Sequence, residues 1–125
     1  MKHLILIFLV LAGCAVGPRA SEKDIKLVFT GSYAEACQAW TRLMKSDFLA
    51  GKSRTTVVDR VGKPDYTTLD AICYKTAAGP LWFEFSGDQM VGAHLVSTPP
   101  RWRGTQAEAE VWWKETRDTK DWYAY

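Results

Sequence analysis

The chain has 125 residues, with 16 Lys and Arg against 14 Asp and Glu and a formal net charge of +2. So small a charge, with no run of like sign, provides nothing to hold a polyphosphate backbone, and nucleic-acid binding is not expected. The length suits one domain with a modest core.

The chain opens Met1-Lys2-His3, continues with an apolar run from Leu4 to Leu11, and then reads Ala12-Gly13-Cys14. A basic start, a short apolar stretch and small residues before a cut site predict a secretory signal over residues 1–13. The run is far shorter than the ~20 apolar residues a membrane span needs. Leu11-Ala12-Gly13-Cys14 resembles the lipobox of bacterial lipoproteins. The resemblance implies diacylglyceryl transfer to the Cys14 thiol, cleavage between Gly13 and Cys14, and acylation of the new amine. Two or three acyl chains on one residue would hold the protein on a membrane, which a single chain does only marginally. Ala15 follows, rather than the Asp that retains enterobacterial lipoproteins in the inner membrane. For a Gram-negative source this implies an outer-membrane lipoprotein facing the periplasm.

Residues 14–29 read as the lipidated N-terminus and a tether, with Gly17-Pro18-Arg19 and a polar stretch from Ser21 to Asp24. Ser32 and Glu35 form a capping-box pattern. Tyr33, Ala36, Cys37, Trp40, Leu43 and Met44 then recur at helical spacing, predicting an amphipathic helix from Tyr33 to Asp47. Ser53 opens a shorter helix with Val57, Val58 and Val61, stopped by Gly62 and Pro64. From Ala71 the period changes. Ala71 to Thr76, Leu81 to Phe85 and Met90 to Ser97 predict three strands, joined by turns at Ala77-Ala78-Gly79-Pro80 and Ser86-Gly87-Asp88. Pro99-Pro100 ends the meander. Thr105 with Glu108 predicts a second capping box and a C-terminal helix to about Thr116. The expected class is α+β in two layers: two N-terminal helices packed on a three-stranded antiparallel meander, plus the C-terminal helix.

The stretch Gly51 to Asp65, with its Gly, Ser cap, short apolar helix and Gly62-Lys63-Pro64, is similar to the signature of the SmpA/BamE-like small lipoprotein family. The strands Ile72-Cys73-Tyr74, Leu81-Trp82-Phe83-Glu84-Phe85 and Gln89-Met90-Val91 continue the likeness, which covers about residues 40–97. The resemblance implies an SmpA/BamE-like α+β domain over 30–100 and an aromatic-rich helical extension over 101–125. It also implies an accessory role in outer-membrane protein assembly, or an envelope binding or inhibitory role. The short loop between the first two strands and the Trp-rich extension depart from the family pattern, so no partner-binding residue is carried over.

With Cys14 taken by lipid, Cys37 and Cys73 remain. In an oxidising compartment their pairing is the favoured reading, closing a loop of about 36 residues worth about 3–4 kcal/mol by chain entropy. The alternative is two buried free thiols. Gly51-Lys52-Ser53 is not a phosphate loop, because Ser46 stands where that motif needs glycine. His94 lacks the spaced partners of a metal or triad site, so no catalytic residue, metal or cofactor is expected, and His94 reads as a solvent-facing or half-buried strand residue. The aromatic residues from Trp102 to Tyr125 are the unusual feature. Adjacent Trp112 and Trp113 cannot both face one way on a helix, so at least one should lie at the edge. Docking of the helix on the sheet is the favoured reading, and on the alternative Trp102, Trp113, Trp122 and Tyr123 are the candidate partner-binding residues. The expected role is a lipid-anchored, non-enzymatic envelope module with a protein partner. A periplasmic enzyme inhibitor is the alternative, and a small hydrolytic enzyme stands behind both.

Overall fold

The computed structural model describes residues 21–96 and 105–118, and the backbone of 122–124. The signal, Gly13, Cys14 and Trp102 lie outside these residues. The order of elements is α1 (residues 21–30), α2 (Tyr33–Lys45), α3 (Arg54–Val61), β1 (Tyr66–Thr67), β2 (Ala71–Thr76), β3 (Gly79–Ser86), β4 (Gln89–Leu95), a 3₁₀ turn (Gln106–Glu108), α4 (Ala109–Arg117) and β5 (Trp122–Ala124). The expected α+β class, with an antiparallel sheet and a C-terminal helix, is present.

Three features differ from expectation. First, residues 21–29, placed in the expected tether, are helical and belong to α1. Its polar start hides an apolar i, i+3, i+4 set: Ile25, Val28 and Phe29 turn toward the core, and Phe29 meets the Tyr74 ring edge-on at 5.9 Å. Arg42 of α2 donates to Asp24 at 2.8 Å, and the Ala77 N–H donates to the Val28 carbonyl at 2.9 Å. The α1–α2 corner needs glycine, since a Cβ on Gly31 would lie 2.7 Å from the Leu27 carbonyl oxygen.

Second, the sheet has five strands in the order β1-β2-β3-β4-β5, all antiparallel. The short flanking strands β1 and β5 carry no periodicity a sequence could reveal. Gly79 and Pro80, expected in a turn, already pair with Thr76 and Lys75.

Third, both faces of the sheet are covered, which makes three layers instead of two. Ile72, Tyr74, Leu81, Phe83, Phe85, Ala93 and Leu95 face α1–α3. Ala71, Cys73 and Trp82 face α4 with Tyr66. Burial on both faces explains why β2 and β3 are apolar almost throughout, rather than alternating.

Local signals explain the helix ends. Ser32 and Glu35 make the full reciprocal box, and the Ser32 N–H holds the exposed Glu35 carboxyl below its usual range. The Ser53 hydroxyl accepts from the Thr56 N–H at 3.1 Å, and Gly62 ends α3 at φ 115°, where a side chain would be strained. α2 stops at Lys45, and the left-handed Asp47 and Leu49 turn Phe48 and Leu49 into the core. The expected box at Thr105 does not form: the helix opens as a 3₁₀ turn, with the Glu108 N–H on the Thr105 carbonyl.

Candidate functional site

The two tryptophans of α4 turn inward. Register places Tyr66, Cys73, Trp82, His94 and Trp122 in one line across all five strands. α4 lies over this line, with Trp112 and Trp113 on either side of Trp82, each ring 5.2 Å from it. Trp112 also meets Tyr66 at 5.2 Å, and Trp113 meets His94 at 5.7 Å. Both tryptophans are buried, which agrees with the favoured docking of the helix on the sheet, corrects the expectation that at least one would lie at the edge, and removes Trp113 from the partner-binding candidates. Adjacent side chains diverge by about 100° on a helix. A broad sheet accepts both when the helix axis passes over a single central ring. Trp122 and Tyr123 lie on β5, opposite His94 and Ala93. His94, expected at least half exposed, is fully buried.

The expected disulfide is absent. Cys37 and Cys73 are both free thiols. Cys37 sits on α2 against the core of the helical face, while Cys73 belongs to the opposite face. The sheet stands between them, so the pairing allowed by counting is forbidden by topology. Burial pushes the Cys73 thiol far above its usual range, with the charge of Asp65 adding to it. Burial likewise raises Tyr74, whose hydroxyl donates to the Gly62 carbonyl at 2.7 Å. Among the described residues no group of three His, Cys, Asp or Glu is placed to hold a metal ion. The void between α1, α2 and the sheet, lined by Val28, Trp40, Leu43, Phe48 and Phe83, has a volume of only 10 Å³. It is a packing gap within the core.

The surface presents a different feature, in the connection between β1 and β2. Every backbone N–H and C=O of residues 67–69 has a partner, and most come from side chains far away in sequence. The Gln106 amide pairs with Thr67 on both sides, accepting from its N–H at 2.9 Å and donating to its carbonyl at 2.6 Å. It thereby mimics one residue of a further strand. The Thr68 N–H bonds the Ala71 carbonyl at 2.8 Å, and the buried Thr68 hydroxyl accepts from the Ala71 N–H at 2.9 Å. Arg54 of α3 donates to the carbonyls of Thr68 and Leu69 at 3.2 and 2.8 Å, with its guanidinium 4.9 Å from the centre of the Phe85 ring. Glu110 of α4 accepts from the Leu69 N–H at 2.7 Å.

This braced backbone carries Leu69, whose side chain is 82% exposed. An exposed leucine is ordinary by itself. One fixed by side chains from both helical layers has already lost the backbone freedom that binding would otherwise remove. Val111, 62% exposed, follows Glu110 on α4. The flank is acidic, with Asp70 and Glu110 both exposed. Behind them the Glu84 carboxyl is raised by burial; Arg117, 3.5 Å away, opposes this and Asp70 adds to it. No part of this arrangement was legible in the sequence, where Thr67-Thr68-Leu69-Asp70 is an unremarked turn. Its braces lie 14 to 41 residues away.

Comparison with known proteins finds no matching family model, no matching curated protein and no matching solved structure.

Proposed function

We propose that the chain is a lipid-anchored, non-enzymatic binding module at the periplasmic face of the outer membrane, of SmpA/BamE-like type. In this reading it acts as an accessory in outer-membrane protein assembly or envelope maintenance. The observation that carries the reading is the braced loop holding Leu69 in solvent, since a rigid apolar side chain is the kind of element that seats in a partner's pocket. The lipobox pattern supports the address. Residue 21 of α1 follows Cys14 by seven positions and so would lie within about 25 Å of the anchored cysteine. The domain would thus work close to the membrane rather than at the end of a long tether. Burial of Cys73, Tyr74 and His94 also supports a binding role over a nucleophile-based one.

A second reading, an inhibitor of a periplasmic hydrolase, draws on the same protruding loop. Crosslinking and affinity capture of the full lipidated chain from envelopes, with Cys14→Ala as the unanchored control, tests the proposal. The intact chain is expected to sediment with membranes and to retain a defined protein partner. Membrane sedimentation of the Cys14→Ala chain would refute the anchor. A partner whose hydrolytic activity is silenced in the complex would favour the inhibitor.

A further inference from the structure

We infer that Leu69 is the seat of this module's interface, and that its occupant is a protein with an apolar pocket rimmed by Lys or Arg. This inference rests on the binding-module reading and goes further by naming the contact and the chemistry of the partner.

The first argument is mechanical. An exposed loop normally loses conformational entropy when a partner fixes it, and that loss subtracts from affinity. At residues 67–69 the cost has been met in folding, because Gln106, Glu110, Arg54 and Thr68 hold the backbone from three sides. The bracing ties α3 and α4 to the sheet edge, and the side chain it carries at position 69 is turned into solvent. The loop is also where α3, the sheet edge and α4 meet, so it forms only when all three layers are assembled. The second argument is electrostatic. Leu69 is flanked by the exposed carboxylates of Asp70 and Glu110. Arg54 brings its positive charge to the α3 side of the loop, on the two loop carbonyls and the face of Phe85, and Arg117 pairs with Glu84. A partner approaching Leu69 from the α4 side therefore meets two exposed carboxylates, Asp70 and Glu110, beside an apolar centre. A basic rim around an apolar pocket complements it, whereas an anionic bilayer surface would be repelled.

The test places a photoreactive benzophenone residue at position 33, 69 or 111 of the full-length lipidated chain in living cells. Tyr33, exposed at the start of α2, is a control outside the braced loop and α4. Adducts are expected at 69, and more weakly at 111, with the contact mapped by mass spectrometry to an apolar segment flanked by Lys or Arg. With the probe at 111, Leu69→Asp is expected to lower the adduct yield by about 30-fold, the loss typical of a buried interface anchor. Circular dichroism should show the same melting curve for this variant, because the substituted side chain lies in solvent. The pair Asp70→Asn and Glu110→Gln isolates the charge, since Gln keeps an acceptor for the Leu69 N–H. It should weaken the adduct about tenfold at low salt and flatten its salt dependence.

A lipid adduct at 69, a contact segment that is acidic, or an unchanged yield in the charge-neutral pair would overturn the inference. Adducts from position 33 alone would leave the binding-module reading standing and remove Leu69 from it. No adduct from any of the three positions would count against the binding reading itself.

Discussion

Trp113→Ala is the most direct test of the three-layer architecture. Trp113 is 2% exposed, stacked 5.2 Å from Trp82 and 5.7 Å from His94, with the Arg117 guanidinium 6.0 Å from its ring centre. A buried tryptophan removes roughly 150–250 Å² from water, which at about 25 cal/mol per Å² corresponds to about 4–6 kcal/mol. Measured truncations of buried Phe and Trp cost about 3–5 kcal/mol, because the site relaxes only partly. With an unfolding entropy near 2.1 cal/mol/K per residue, a domain of this size should melt roughly 12–25 °C lower. Trp113→Phe, which keeps a ring against Trp82, should lose less than half as much. Val111→Ala, on the solvent side of the same helix, should lie within about 0.5 kcal/mol of the parent. Urea titration followed by far-UV circular dichroism measures all three, and the slope m reports whether α4 stays docked. A loss below about 1 kcal/mol for Trp113→Ala, with m unchanged, would refute the packing of α4 on the sheet.

Three further outcomes follow from the same structure. In the Cys14→Ala chain, a thiol reagent should label Cys37 under native conditions and Cys73 only after denaturation, because Cys73 is fully buried and its thiolate is disfavoured. Two unreactive sulfurs that both appear only after reduction would restore the disulfide. Glu84 should add a pH slope to stability. Its folded pKa is raised, first by burial, so the native state holds the proton more tightly than the unfolded chain. Its contribution is therefore fully present below the unfolded carboxyl value and lost as pH rises through the folded one. Urea midpoints at pH 4.5 and 7.5 should converge in Glu84→Gln relative to the parent, and an unaltered difference would exclude Glu84 as its source. Ser32→Ala removes the acceptor of the Glu35 N–H and should cost about 0.5–2 kcal/mol. Equal stability of the two chains would show that the box contributes nothing.

What the residues determined alone was local. Ser32 with Glu35 and Ser53 with Thr56 start helices using atoms within one turn. Gly62 ends one by a backbone conformation other residues resist, and β2 through β4 follow from β-forming runs joined by short turns. The misjudged elements were those whose reasons lie elsewhere in the chain. α1 is helical because Val28 and Phe29 find the sheet, and β1 and β5 are too short to pattern and exist by pairing with β2 and β4. Counting cysteines allowed a bond that two faces of one sheet forbid, and helical geometry put one of the adjacent Trp112 and Trp113 at the edge, whereas both pack on Trp82. Leu69 is the limiting case. Nothing in Thr67 to Asp70 marks it, yet Arg54, Gln106 and Glu110 converge on that backbone only after folding. Local signals reach a turn or a strand pair, whereas a braced loop is a sum of long-range hydrogen bonds that only the assembled layers supply.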